Sequence, residues 1–235
     1  MEGKKIIGIV GGMGPMTTVA LFRMIVEHTK GETDQDHIRI LIDNHPQIPD
    51  RTKAILSGGP SPVPQIVSSA KTLEAAGADF LIIPCNTSHY FLQDVQRQCR
   101  VPILNMIEET ARLLASMNVK KAGLLATTGT IRGGVYDKFM RPYGIQLLCP
   151  DGEDQQAVMD FIYKGVKSGN DHYDPAAFMR AVGHMADQGA ETMILGCTEI
   201  PVGMKMYRLS FPFVDALETL AKAAVSFAGY EVREG

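Results

Sequence analysis

The sequence has no run of 18 apolar residues, no block of basic residues, no CxxC pair and no low-complexity segment. Each absence removes a class. Without a long apolar run there is no candidate transmembrane helix. With a formal net charge of −3 and no Lys/Arg cluster, a nucleic-acid or polybasic membrane surface is not expected. The four cysteines, Cys85, Cys99, Cys149 and Cys197, are spaced neither as zinc ligands nor as a disulfide framework. The apolar run after "MEGKK" breaks at Gly11 and Gly12, too early for the core of a signal peptide. The expected setting is a reducing cytoplasm with free thiols.

What is present is ordinary in amount. Of 235 residues, 45% are hydrophobic and 21% charged, enough apolar material for a core without a metal or disulfide staple. Short apolar runs alternate with stretches of helical period. Strands are predicted at 4–10, 37–42, 79–83 and 101–105, then at 121–126, 145–148, 191–195 and 211–215. Helices are predicted at 17–29, from Ser61 and Pro62 to the C′ glycine Gly77, and from Asp174 and Pro175 to Gly189. The segment 43–52 reads as a loop held by two prolines. Strand–helix alternation of this kind predicts an α/β fold with parallel sheets covered on both faces.

The two halves of the chain also resemble each other. "KIIGIVGGMG" from Lys5 lies over "KKAGLLATTG" from Lys120. "GADFLIIPCNT" from Gly77 lies over "GAETMILGCTE" from Gly189, and "VPILNMIEETA" from Val101 over "FPFVDALETLA" from Phe211. Three blocks in the same order predict two pseudosymmetric domains, 1–105 with 213–235 and 106–212. Each is expected to be a parallel sheet flanked by helices, with the active site in the cleft between them.

In both halves an apolar strand ends on a cysteine, Cys85 and Cys197. Ligands of parallel α/β sheets bind beyond the carboxyl ends of the strands. Each cysteine precedes small polar residues that suit a helix start, where free N–H groups and the dipole lower a thiol pKa from about 8.5. One thiolate and one opposed thiol can remove a proton from a carbon and return one to its other face. That is racemisation. Cys99 and Cys149, outside the repeat, read as small buried hydrophobes. Cys85 and His89 are four apart, a possible metal pair, but no second pair matches them. "GGMGP" from Gly11 lacks both GxGxxG and the Walker lysine and reads as a tight glycine turn near a small ligand. "TTGT" from Thr127 is its partner in the second half.

Together "GGMGP", "PQIPDRT", "PCNTSHYF", "NMIEETA", "LLATTGTI" and "LGCTEIP" resemble the aspartate/glutamate racemase family, on its aspartate racemase side. The resemblance covers nearly the whole chain. It implies a homodimeric racemase of aspartate or glutamate that uses no cofactor and no metal, with Cys85 and Cys197 as the catalytic pair. It also implies substrate-binding roles for Arg51 and Lys167, for Asn86, Thr87, Thr127 and Thr198, and for Met13 and Glu199 within the same motifs. A guanidinium at Arg51 suits the second carboxylate of such a substrate, which it can grip with two hydrogen bonds. Glu199 is placed to orient or protonate Cys197, and by analogy with glutamate racemases Cys197 is expected to be the base toward the L-substrate. Met16, Asp43 and His45 depart from the residues common at these motifs. Rival readings are a hydantoin racemase, a maleate isomerase, an arylmalonate-type decarboxylase and a non-catalytic binding protein. A decarboxylase would need only one thiol, and binding alone would need no matched acid and base.

Overall fold

The computed structural model describes residues 3–233, so the outermost residues of the first predicted domain, 1–2 and 234–235, lie outside the description. The chain divides into two units: residues up to Glu109 together with those from Leu217 onward, and Thr110–Ala216.

In the first unit β1 (Ile7–Gly11) runs into α1 (Pro15–His28), followed by β2 (Ile40–Asn44), α2 (Arg51–Leu56), α3 (Val63–Ala75), β3 (Phe80–Ile82) and α4 (Leu92–Gln96). Helix α5 (Met106–Ser116) carries the chain on to the second unit. There β4 (Lys121–Leu125) precedes the short helices α6 (Thr128–Arg132) and α7 (Asp137–Met140), then β5 (Gln146–Leu148), α8 (Gly152–Asp160) and α9 (Ala176–Asp187). The unit closes with β6 (Thr192–Leu195), α10 (Glu199–Met206) and β7 (Phe213–Asp215), after which α11 (Ala216–Phe227) returns the chain to the first unit.

Both sheets are parallel and share one plan. The strand orders are β2-β1-β3 and β5-β4-β6-β7, so the first strand of each unit is central and the cysteine-bearing strand lies beside it. Strands β1, β3 and β6 are buried throughout and β4 at all but its first residue, as strands covered on both faces must be. Edge strands β2 and β5 are only partly covered. The helix before each cysteine strand ends on a glycine at positive φ, Gly77 at 97° and Gly189 at 95°. The next amide closes the same turn in both, Ala78 N–H to Leu73 and Ala190 N–H to Met185, each at 3.0 Å. Each following strand is preceded by a carboxylate that accepts backbone amides at the start of its neighbour: Asp79 from Ile6, and Glu191 from Lys120 and Lys121.

Three expectations change. Residues 101–105 do not form a strand; only Ile103 bridges to Leu81 where the second unit places all of β7. The expected loop 43–52 gives way to α2 at Arg51, because the Asp50 carboxylate caps it by accepting the Lys53 amide at 2.7 Å. Cys149 is exposed rather than a core residue, since it lies just beyond the edge strand β5; Cys99 is partly buried against the first unit's core. Among the described residues no helix is long and apolar enough to cross a membrane.

Candidate active site

The parallel sheets put the candidate site residues at their carboxyl ends. In the first unit Met13 lies just past β1 and Cys85 just past β3, so adjacent strands deliver both to one edge. Met13, Cys85 and Ile48 all belong to the same buried cluster. In the second unit Thr127 follows β4 and Cys197 follows the adjacent β6. Cys197 likewise packs into its unit's core, and the two thiols are nearly equally covered, 7% and 8% exposed. All four cysteines are free.

Beyond Cys85 the chain does not enter a long helix. A five-residue 3-10 turn (Thr87–Phe91) leads into the equally short α4. Asn86, Thr87, Ser88 and His89 are all buried, which is unusual for four consecutive polar residues. The Cys85 carbonyl accepts the Ser88 hydroxyl at 2.6 Å and lies 2.9 Å from His89 Nδ1. Burial holds the His89 imidazole down at about 4. Its Nε2 accepts the Met106 amide at 3.2 Å. Both ring nitrogens are thus engaged by backbone, and the Cys85–His89 pair does not present itself as a metal site. Among the described residues no group of three or more His, Cys, Asp or Glu side chains is placed to hold an ion.

Cys197 precedes a true helix, yet its thiol is not acidified. Burial first, then the adjacent Glu199 carboxylate, pushes its pKa well above the ordinary cysteine value. The expected lowering by a helix start is overridden, because desolvation and a like charge both disfavour the thiolate. The thiol donates to Glu199 Oε2 at 2.9 Å, and the Thr198 hydroxyl donates to the same oxygen at 3.3 Å. Lys167 Nζ meets the other oxygen at 2.5 Å. Burial, the largest single influence, opposes the charge on Glu199, but Lys167 and the hydrogen bonds to the carboxylate, Cys197's among them, together outweigh it and keep the carboxylate below its usual range. Lys167 gains in turn: against its burial, Glu199 first and then Cys197 and Tyr163 together raise its pKa. The lysine reaches this position because α8 widens into a π-helical segment (Phe161–Val166), whose last amide bond runs from Lys167 back five residues to Ile162. Gly203 on α10 faces Phe161 and Val166 so closely that a Cβ would fall 2.4 Å from the Phe161 ring. That glycine lets the helix bearing Glu199 lie against the segment that aims Lys167.

Arg51 is the first residue of α2. Its Nη1 donates to the carbonyls of Ile48 and Pro49 at 3.2 and 3.0 Å, while its buried Nε has no hydrogen-bond partner. The guanidinium is anchored through Nη1 alone. Thr127 caps α6, its hydroxyl accepting the Thr130 amide.

A family model described as Asp/Glu/hydantoin racemase matches residues 10–224. The chain belongs to this family. It is 34% identical to the Picrophilus torridus aspartate racemase, with a TM-score of 0.83 over 97% of this chain and 96% of that one. It is 29% identical to the broad specificity amino-acid racemase RacX of Bacillus subtilis (strain 168), over 94% of this chain and 96% of the relative. The glutamate racemase of Francisella tularensis in complex with D-glutamate shares the fold at 20% identity, with a TM-score of 0.66 over 95% and 81% of the two chains.

Two residues near Cys197 escaped the sequence reading. Tyr136 is fully enclosed, and burial, then Asp215 and Cys197, drive its phenol far above the ordinary range. Asp215 is the last residue of β7, beside β6, and is buried. Its signal was a carboxylate ending an apolar strand in "FPFVD"; Tyr136, in an irregular stretch, had none.

Proposed function

We propose that the protein is an amino-acid racemase in which Cys85 and Cys197 exchange protons with one α-carbon, aspartate or glutamate being the substrate. One observation carries this reading: a thiol stands at the carboxyl end of the corresponding strand in both units of a repeated fold. In each turnover one thiolate takes the α-proton and becomes a thiol. The opposed thiol gives its proton to the other face of the planar carbanion and becomes a thiolate. Protons balance, the carbon is inverted, and neither pyridoxal phosphate nor a metal is required by the scheme. The Cys197 thiol, donating to Glu199, is the resting acid. The first proton removal in the resting form therefore falls to Cys85, which agrees with the analogy to glutamate racemases if this form takes the D-substrate and opposes it if it takes the L-substrate. The buried Nε of Arg51, left without a hydrogen-bond partner, favours a second carboxylate on the substrate. A homodimer in the cytoplasm belongs to the same reading and is tested by sedimentation and cell fractionation.

The experiment is solvent exchange in D₂O over a panel of L- and D-amino acids. Deuterium at the α-carbon with inversion supports a racemase, and the best substrate fixes the class. An enzyme that decarboxylates malonates and exchanges no amino acid, or a protein that binds without exchange, would overturn the proposal.

A further inference from the structure

The repeat places Pro201, four residues after Cys197, opposite His89, four residues after Cys85. Proline offers neither a side-chain donor or acceptor nor an amide N–H, so whatever His89 does belongs to one thiol only. His89 is buried, and its contacts define its chemistry. The Met106 amide donates to Nε2, so that nitrogen carries no proton. The neutral ring must then be protonated on Nδ1, which donates to the Cys85 carbonyl at 2.9 Å. A second proton would have to face the Met106 N–H, and burial opposes it further.

Cys85 is held from both sides. Its own amide donates to Ile83 at 2.8 Å, and its carbonyl receives Ser88 and His89. With both flanking peptides fixed, the only torsion left to the sulfur is χ1. The far end of the imidazole sits on the first turn of α5, whose other free amides, Ile107 and Glu108, go to Asn105 Oδ1. No ring nitrogen is available to the thiol itself.

We propose that His89 is a positioning residue and not an acid or base: a neutral Nδ1–H imidazole that ties the Cys85 peptide to the amino end of α5 and so sets the direction of the Cys85 thiol. The proposal rests on the racemase reading only for the use made of that thiol, and its test reads the sulfur directly.

The test is the rate of carbamidomethylation of Cys85 and Cys197 by iodoacetamide, followed by peptide mass in the full chain, for His89→Asn, His89→Gln and His89→Phe. Asparagine keeps a donor where Nδ1 stands; glutamine reaches the Nε2 position and loses the donor to Cys85; phenylalanine loses both. The expected result is a Cys85 rate within ~2-fold of the parent in His89→Asn and changed by ~10-fold or more in His89→Gln and His89→Phe, the scale on which a small displacement alters reactivity. Cys197 should react at the parental rate in all three. Thermal melts run in parallel separate aim from stability, because Asn and Gln each give up one of the two bonds. Equal Cys85 rates in Asn and Gln that simply follow the melting temperature would overturn the proposal. So would a Cys197 rate that moves as much as that of Cys85, or a parental pH profile with a step near ~6.5 that His89→Asn removes. If His89→Phe does not fold, the Asn/Gln pair alone decides. Absence of racemisation with every amino acid would remove the proposed function and leave the alkylation result standing.

Discussion

Beyond β3 the chain turns through Cys85 into a tight 3-10 turn, and what surrounds it is neutral: a serine hydroxyl and an uncharged imidazole, both on its carbonyl. Beyond β6 it turns through Cys197 directly into α10, and the thiol itself donates to a carboxylate held by a lysine. The strands, the glycine-ended helices before them and the carboxylate clamps on the neighbouring strands match between the units. The divergence begins one residue past each sulfur. A repeated scaffold needs only to place two thiols, whereas an acid and a base at one moment of a cycle need different surroundings. The first end fixes the backbone of its cysteine; the second fixes the proton.

Removing either sulfur is the sharpest test of that division. Serine has the shape of cysteine and is a far weaker acid, so Cys85→Ser and Cys197→Ser should each lower racemisation by ~10³-fold or more, within the range of lost acid–base catalysis. Cys99→Ser and Cys149→Ser should stay within about twofold, as changes outside the proposed pair. Solvent deuterium entering L- and D-aspartate separately should show opposite enantiomer preferences in the two serine variants, or none in either. Near-normal racemisation by one of them would dissolve the two-base comparison.

How far this was legible follows from where the physics is local. Strand runs, C′ glycines and the repeated strand-end cysteines are written in short windows, and the sheets follow from them. The strand expected at 101–105 failed because its neighbours pair only at Ile103, a tertiary outcome that an apolar run cannot announce. The direction of the Cys197 shift was missed because a helix start is visible in sequence, while full burial beside Glu199 is not. Lys167 was reached through resemblance alone; its partner lies 32 residues away, and the π-helical segment that aims it leaves no periodic signature. Tyr136 was invisible for the same reason.

Acid should separate the two ends by stability. The His89 pKa is depressed when folded, so the unfolded chain binds more protons between its ordinary value near 6.5 and about 4. Stability therefore falls as pH drops through that window and levels off below it, by about 3 kcal/mol for a shift of this size. Glu199 is shifted down from the carboxylate range, so its contribution is lost only at lower pH, through its folded value. Urea melts from pH 7 to 4 should show a slope that His89→Asn flattens and Glu199→Gln leaves in place. A slope unchanged in His89→Asn would deny the buried neutral imidazole.

Arg51 tests whether the ligand, rather than the thiols, breaks the symmetry between the units. Arg51→Ala should lower kcat/KM for aspartate by ~10²-fold, about 2.7 kcal/mol, the scale for losing one partner of a buried charge pair. Arg51→Lys should recover little, because an ammonium cannot hold Ile48 and Pro49 and still present a fork. Unchanged aspartate kinetics in the alanine variant would place the distal carboxylate elsewhere, or show that the substrate has none.

The smallest effects probe the charge pair alone. Only the thiolate is alkylated, so at a fixed mildly alkaline pH the iodoacetamide rate at Cys197 reports its acidity. Glu199→Gln removes the charge that, after burial, does most to disfavour the thiolate, and Cys197 should react faster. Lys167→Met acts in the opposite sense. It deletes a cation that favours the thiolate, and at that pH the Glu199 carboxylate it leaves behind remains ionised, so Cys197 should react more slowly. One pKa unit is tenfold in thiolate, about 1.4 kcal/mol, and each change should be of that order or less. Gly203→Ala should resemble a mild Lys167→Met, because its methyl group pushes α10 away from the segment that aims the lysine. Cys85 should keep its parental rate in all three variants, its neighbours being a hydroxyl and a neutral ring. Equal shifts at both cysteines, or the same sign for Glu199→Gln and Lys167→Met, would mean that the two strand ends are not tuned separately.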